Sequence, residues 1–142
     1  MSDQFVNAVK DVVIYLLSKK LSGDEKALKS IKMYLIDNIS PSEIESRLKI
    51  SRHVVRGYAS RVYERADGNG LRRKFIAKVL PKIFKHVDEV NEVIYVKERR
   101  FYRCKLCGKL VARYGLTQHL VIKHKNIAEP IINKILQELN LN

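Results

Sequence analysis

Two cysteines and two histidines near the C-terminus have the spacing of a metal-binding site. Cys104 and Cys107 are separated by two residues, and His119 and His124 by four. The cysteine spacing presents two thiolates from one turn, and the histidine spacing predicts two imidazoles on one helical face, ligands that Zn²⁺ holds in a tetrahedron. The pattern therefore predicts a structural zinc site without catalysis, because four protein ligands leave no open coordination position.

The residues around these four extend the pattern. Small or apolar residues stand where a finger of this size needs packing groups, namely Tyr102, Gly108, Val111 and Leu116. Together with the ligands they resemble the Cys2His2 zinc-finger family over residues 101–125. The resemblance implies a β-hairpin that carries the cysteines and a helix that carries the histidines.

One departure from the family concerns base recognition. The family usually places twelve residues between the second cysteine and the first histidine, and this chain has eleven. By the resemblance, the base-reading positions fall on Gln118, Gly115, Tyr114 and Ala112. Glycine and alanine offer no hydrogen-bonding side chain to a base. We therefore expect the finger to contact phosphates, through Arg113 and Lys123, rather than to read a base triplet.

The same cysteines also permit a different interpretation, a CxxC redox pair with two unrelated surface histidines. A thioredoxin-like pair is expected beside a βαβ pattern. Here the pair lies in a short basic segment and is followed by histidines at zinc-ligand spacing. This context favours the metal site.

A second pattern lies upstream and begins with a helix start signal. Ser40 is a helix-capping residue, Pro41 suits the first helical position, and Glu43 occupies the capping-box position. Ile44 and Leu48 follow at the spacing of an inward helical face. The sequence therefore predicts a short helix from about residue 41.

With the residues that follow, this segment resembles a helix-turn-helix over residues 40–64. Ile50 stands where the turn buries an aliphatic side chain, and Ser51 where a cap begins the recognition helix. The inward positions of that helix are then Val55, Tyr58 or Ala59, and Val62. Two residues depart from the family, Glu45, where a small residue allows close packing, and Lys49, where glycine usually makes the turn. Either would open the angle between the helices.

The outward positions of the second helix carry hydrogen-bond donors suited to DNA. They are Arg52, His53, Arg56, Ser60 and Arg61. Arginine binds guanine bidentately in the major groove, and it also binds phosphate. The alternative is an ordinary helical hairpin with a basic outer face.

The remaining pattern is mostly helical. Apolar periodicity predicts a helix over Gln4–Leu21 and a second one capped by Asp24. A turn at Asp67–Gly70 marks a domain boundary, and the helix that follows carries Arg72, Arg73 and Lys78, which we expect to contact phosphate unless they only form a solvated face. Pro81 must kink or divide this helix.

Alternation between Asn91 and Arg103 predicts a β-hairpin that leads into the finger's strands, and Pro130 begins a last helix. The predicted fold is thus mostly α, with an N-terminal helical bundle that contains the helix-turn-helix and a C-terminal ββα Cys2His2 finger. We predict three parts, a helical domain at 1–68, a basic linking helix at 69–90, and a hairpin, finger and final helix at 91–142.

Charge and composition narrow the function. The chain has 28 Lys and Arg against 15 Asp and Glu, a formal net charge of +13. Such an excess attracts polyanions, nucleic acid above all, although a lysine-rich surface also serves solubility. No stretch of the sequence resembles a signal peptide or a membrane span, and both cysteines are assigned to metal, so we expect an intracellular protein.

We therefore expect a sequence-specific protein that binds double-stranded DNA, regulates transcription and contains a structural zinc. Composition and the pairing of one finger with a helix-turn-helix resemble the small regulators of archaeal viruses, plasmids and their hosts. Such domains commonly bind as dimers, so we expect a homodimer through Gln4–Leu21 or Pro130–Leu141. The alternatives are a protein-interaction module and an RNA-binding protein. We expect no enzyme, because no carboxylate pair, activated nucleophile or phosphate-binding loop stands out.

Overall fold

The computed structural model describes residues 3–65 and 70–141. Within these residues the chain forms seven α-helices and one small sheet. The helices are α1 (Asp3–Leu21), α2 (Glu25–Leu35), α3 (Pro41–Leu48), α4 (Arg52–Arg65), α5 (Gly70–Asp88), α6 (Leu116–Lys123) and α7 (Lys125–Glu138). The strands are β1 (Tyr95–Glu98), β2 (Phe101–Cys104) and β3 (Leu110–Ala112). This confirms the predicted fold class, a mostly α chain with a ββα region.

α2 and α3 begin directly after the capping residues that the sequence predicts. The Asp24 carboxylate accepts a hydrogen bond from the Ala27 backbone N–H at 3.2 Å at the start of α2. The Ser40 hydroxyl accepts one from the Glu43 N–H at 3.3 Å at the start of α3, with Pro41 in the first turn. The Glu43 carboxylate stands in the capping-box position, but it accepts a hydrogen bond from Arg47 at 2.8 Å rather than from the Ser40 N–H.

Two prolines lie inside helices rather than at their ends. α5 runs through Pro81 undivided, and α7 begins at Lys125, so the prediction that Pro130 starts the last helix was wrong. Proline leaves the carbonyl four residues earlier without its helical partner. Ala77 and Asn126, the residues with those carbonyls, are both exposed, so water can satisfy them.

The apolar face of α5 begins later than the periodicity indicates. Leu71 has the spacing of the apolar positions but is 68% exposed, whereas Ile76, Leu80 and Ile83 are fully buried. The turn predicted at Asp67–Gly70 lies, up to residue 69, outside the described residues; Gly70 is the first residue of α5.

The sheet is antiparallel with the strand order β1-β2-β3, so β2 belongs both to the predicted hairpin and to the finger. In the register, Tyr95 on β1 lies opposite Cys104 on β2, and Tyr102 on β2 lies opposite Val111 on β3. Tyr102 packs partly buried against the core, whereas Phe101 is exposed. The sheet thereby brings the first cysteine next to the buried Tyr95.

α1 is the central element of the main core. It contacts α2 and α4 on the N-terminal side, α5, and also α6 and α7. Its buried residues belong to the same apolar cluster as Leu116, Leu120 and Ile135. A smaller cluster of Met33, Ile44 and Val55 joins α2, α3 and α4. None of the helices within residues 3–65 and 70–141 has the length and apolar character needed to cross a bilayer.

Candidate metal centre and basic surface

The two cysteines come from one turn between β2 and β3. Cys104 is the last residue of β2, and its carbonyl accepts a hydrogen bond from the Gly108 N–H at 2.8 Å. The Cys104 N–H donates to the Lys109 carbonyl at 2.9 Å, which closes the turn. Gly108 has a φ of +75°, a conformation that suits glycine. The turn places both thiols on the same side, as the spacing predicts.

The two histidines do not share a helical face, contrary to the prediction. Residues five apart lie about 140° apart around a helix, so a continuous helix would separate the imidazoles. Instead α6 ends at Lys123, and His124 has φ −132° and ψ 44°, outside the helical region. The break between α6 and α7 turns His124 back toward His119, with their ring centroids 5.0 Å apart.

The four ligand atoms converge. Cys104 Sγ lies 3.3 Å from His124 Nε2, and Cys107 Sγ lies 3.6 Å from His119 Nε2. All four atoms lie within 4.8 Å of one another. A tetrahedral Zn²⁺ with sulfur at about 2.3 Å and nitrogen at about 2.0 Å requires ligand separations of about 3.3–3.8 Å. The residues are therefore placed to bind one metal ion.

The surroundings of the ligands suit a closed structural site. Cys104, His119 and His124 are buried, and only Cys107 is exposed. Burial lowers the pKa of His119, and the positive charges of His124, Lys109 and Lys123 lower it further. A lowered pKa favours the neutral imidazole, the form that binds metal.

Tyr95 supports the site in a way that the sequence did not reveal. Its ring contacts the His119 ring edge-on, with centroids 5.7 Å apart, and its hydroxyl donates to the Leu116 carbonyl at 3.5 Å. The Lys105 N–H donates to the carbonyl of Ile94, the residue before Tyr95, at 2.8 Å. β1 thus holds both the cysteine turn and one histidine. A buried aromatic in a strand of alternating pattern was the available signal.

The four positions that the family resemblance assigned to base reading lie largely outside the helix. Ala112 ends β3, while Tyr114 and Gly115 belong to a short 3-10 turn (Arg113–Gly115); only Gln118 is in α6. Tyr114 is 93% exposed. Of the finger residues predicted to contact phosphate, Arg113 lies beside α1 and α4 in a cleft, and Lys123 is exposed at the end of α6.

α3 and α4 pack against each other, and the turn between them has Lys49 at the position where glycine is usual. Lys49 takes the left-handed conformation itself, with φ 57° and ψ 43°. Val55, Tyr58, Ala59 and Val62 are buried, as predicted, whereas Ile50 is only partly so. The five predicted DNA-contacting residues of α4 are all exposed: Arg52, His53, Arg56, Ser60 and Arg61.

The basic residues of α5 differ in what they contact. Arg72 donates to the Gln4 side chain at 2.7 Å, and the Arg73 guanidinium lies 4.2 Å from the centroid of the Tyr63 ring. Lys78 is exposed. Arg72 and Arg73 therefore contribute to packing between helices as well as to surface charge.

Comparison of the chain with protein-family models, with curated proteins and with solved structures gives no match. The arrangement of Cys104, Cys107, His119 and His124 therefore stands on its own geometry.

Proposed function

We propose that these four residues bind one Zn²⁺ as a structural ion. The observation that carries this proposal is the convergence of two thiols and two imidazoles within 4.8 Å. Two sulfurs and two nitrogens in a closed site favour Zn²⁺ over harder cations, which prefer oxygen ligands. The ion would join the turn after β2, α6 and the start of α7, and it would stabilise their arrangement.

We further propose that the protein binds double-stranded DNA and regulates transcription, with α3 and α4 acting as a helix-turn-helix. The support is the outer face of α4, where three exposed arginines accompany His53 and Ser60. A net charge of +13 supplies affinity for phosphates, and arginine supplies base recognition. Dimerisation would let two such helices meet successive major grooves.

The finger segment would contribute phosphate contacts beside α4. Arg113 lines the same cleft as His53 and Arg61 of α4. A duplex that contacts α4 would therefore lie near Arg113, whereas Arg72, Arg73 and Lys78 extend the basic surface along α5. Phosphate contacts of this kind position the protein but carry no sequence information.

A protein-interaction module is the second candidate, because apolar side chains are exposed near the metal centre. Ile122 on α6 is 61% exposed, and Leu106 and Leu110 of the finger are also exposed. Exposed apolar residues that lie together mark interfaces more often than scattered ones do. On this interpretation the positive charge serves solubility.

Selection of bound sequences from random duplexes tests the first candidate. We expect the wild type to yield a consensus, and the Arg52→Ala/Arg56→Ala variant to lose it while keeping its zinc and its fold. A control of equal charge change is Lys26→Ala/Lys29→Ala, since both lysines are exposed on α2. A consensus that survives in the arginine variant would contradict the assignment of α4.

The metal variant and an RNA competitor separate the remaining possibilities. A consensus retained by Cys104→Ser would assign base reading to α4 rather than to the finger. Single-stranded RNA that displaces duplex DNA would favour RNA binding, because proteins recognise RNA sequence mainly in single strands, whereas the deep A-form groove of an RNA duplex does not admit a helix.

A further inference from the structure

A second concave site lies away from the metal ligands, between α1, α4 and the finger segment. Its cavity volume is about 620 Å³, within the range of about 300–1,000 Å³ typical of small-molecule sites. We refer to it as the inter-helix cleft. Its most buried lining residues are Tyr15, Ser18 and Tyr58, while Tyr114 lies at its exposed edge.

The inter-helix cleft concentrates positive charge. Among the residues that the structure describes, Asp24 is the one carboxylate in its lining, beside four cationic side chains: Lys19, Arg61, Arg65 and Arg113. Asp24 lies 3.8 Å from Lys19 Nζ, and it also caps α2. Within the described lining the positive charges thus outnumber the negative one, an arrangement that a bound anion would stabilise.

Lys19 is a largely buried cation of the cleft. Its side chain is only 15% exposed, and its Nζ lies 5.0 Å from the centroid of the Tyr58 ring. Burial lowers its pKa; Asp24 opposes this effect, and the positive charges of Arg113, Arg61 and Arg65 add to it. The cation is thus confined among aromatic rings and other cations.

The aromatic lining offers a second kind of contact. The Arg65 guanidinium lies 4.6 Å from the centroid of the Tyr15 ring. The Tyr15 side chain is buried, and its hydroxyl has no partner at hydrogen-bond geometry within the described residues, although Arg61 is near enough to oppose the rise in its pKa that burial causes. A guanidinium can only donate to the Tyr15 oxygen, so the buried O–H still lacks an acceptor and can donate to a ligand.

We propose that the inter-helix cleft binds a small ligand that carries a phosphate monoester and an aromatic ring, of the class of a nucleoside monophosphate. Lys19 and Arg65 would bind the phosphate, the Tyr15 hydroxyl would donate to it, and the tyrosine rings would contact the aromatic group. The Lys19 side chain is only 15% exposed, which favours a small ligand that enters the cleft over a DNA backbone that crosses its mouth. This site goes beyond the proposed metal and DNA functions.

Isothermal titration calorimetry of the full zinc-loaded chain tests the proposal, with AMP, inorganic phosphate and adenosine as separate probes and no DNA present. We expect AMP to bind at least about tenfold more tightly than adenosine or phosphate, because it alone combines both contacts. Lys19→Met and Arg65→Gln should each weaken AMP binding by about tenfold or more. Lys10→Met, on the same helix but outside the cleft, should leave it unchanged.

Tyr15→Phe provides a test that does not depend on changing a buried charge. It removes only the hydroxyl, so it should keep the helical circular dichroism spectrum and weaken AMP binding. Absence of AMP binding, or equal weakening by Lys10→Met and Lys19→Met, would overturn the proposal. A loss of duplex binding in Lys19→Met as large as its loss of AMP binding would instead assign the buried part of the cleft to the DNA backbone. Because the titrations contain no DNA, their result is independent of the consensus experiment.

Discussion

The Glu45 carboxylate on α3 accepts two hydrogen bonds from Arg52, the first residue of α4. The Arg52 backbone N–H donates at 3.1 Å and its Nε at 2.9 Å. Both bonds lower the pKa of Glu45. Glu45 therefore caps α4 across the turn and also fixes the direction of an arginine that we propose to contact DNA.

Substitution of Glu45 should change DNA binding more than stability. Glu45→Gln removes a negative charge from the proposed DNA face and releases Arg52, so we expect about two- to tenfold tighter binding of mixed-sequence duplex at low salt and a steeper salt dependence. The control is Glu43→Gln on the same helix, whose carboxylate pairs with Arg47. Fluorescence anisotropy across a salt series measures the affinity of each variant for the duplex and its dependence on salt. Equal behaviour of the two variants would contradict this role.

Sequence predicted the turn between α3 and α4 but not how it is made. The caps at Asp24 and Ser40 are local signals, and each acts within three residues. Glu45 was expected to open the helix angle, yet its carboxylate forms a contact across seven residues that periodicity does not encode. Lys49 likewise replaces glycine by adopting the left-handed conformation.

The left-handed conformation of Lys49 predicts a stabilising substitution. A residue with a Cβ pays about 1 kcal/mol or more to occupy this region, and glycine does not. We therefore expect Lys49→Gly to raise the free energy of unfolding by up to about 1 kcal/mol after the greater flexibility of glycine in the unfolded chain is counted.

Asn38 is the matched control for this change, since its φ is 58°. Asparagine tolerates the left-handed region better than lysine does, so Asn38→Gly should gain less. Urea denaturation measures both variants. A loss of stability in Lys49→Gly would show that the turn does not hold Lys49 in this conformation.

The contact between α5 and α7 predicts a dependence of stability on acid. The His86 ring hydrogen-bonds the Glu138 carboxylate and lowers its pKa below the ordinary value of 4.5, with Lys85 assisting. A carboxyl whose pKa is lower in the folded state stabilises the fold above pH 4.5, and this contribution disappears as pH falls through the folded-state pKa.

Glu138→Gln should therefore reduce the free energy of unfolding at neutral pH and have a shrinking effect as the solution is acidified. Glu129→Gln, an exposed substitution on the same helix, controls for any general effect of pH on the metal site. Chemical denaturation at several pH values measures the difference between the two variants. Parallel curves for them would contradict the prediction.

The shared core predicts that the finger and the helical bundle unfold together. Leu120 on α6 is fully buried in the cluster that includes α1. Leu120→Ala should cost about 2–5 kcal/mol, whereas Val121→Ala at its exposed neighbour should change stability by about 0.5 kcal/mol or less. We expect one transition in calorimetry, moved to lower temperature by Leu120→Ala. Two transitions, one of them unaffected, would support independent domains.

The ligand set was predictable from sequence, whereas its support was not. Two cysteines two residues apart need only a local turn. The histidine pair depends on the break at His124, and that break requires α7 to begin at Lys125 despite Pro130. Helical periodicity cannot indicate such a break, because the break depends on how α7 packs on α1 and α5, which are distant in the sequence. The contact between the Tyr95 and His119 rings likewise joins residues that are distant in the sequence.

X-ray absorption spectroscopy at the zinc edge, combined with metal analysis of the purified chain, tests the proposed zinc site directly. We predict one zinc per chain with two sulfur ligands at about 2.3 Å and two nitrogen ligands at about 2.0 Å. Cys104→Ser should lose roughly a hundredfold or more in zinc affinity, since even outer contacts to ligands are worth 10–100-fold. A folded chain that holds no zinc after metal supplementation, or one with a different ligand set, would contradict the central claim.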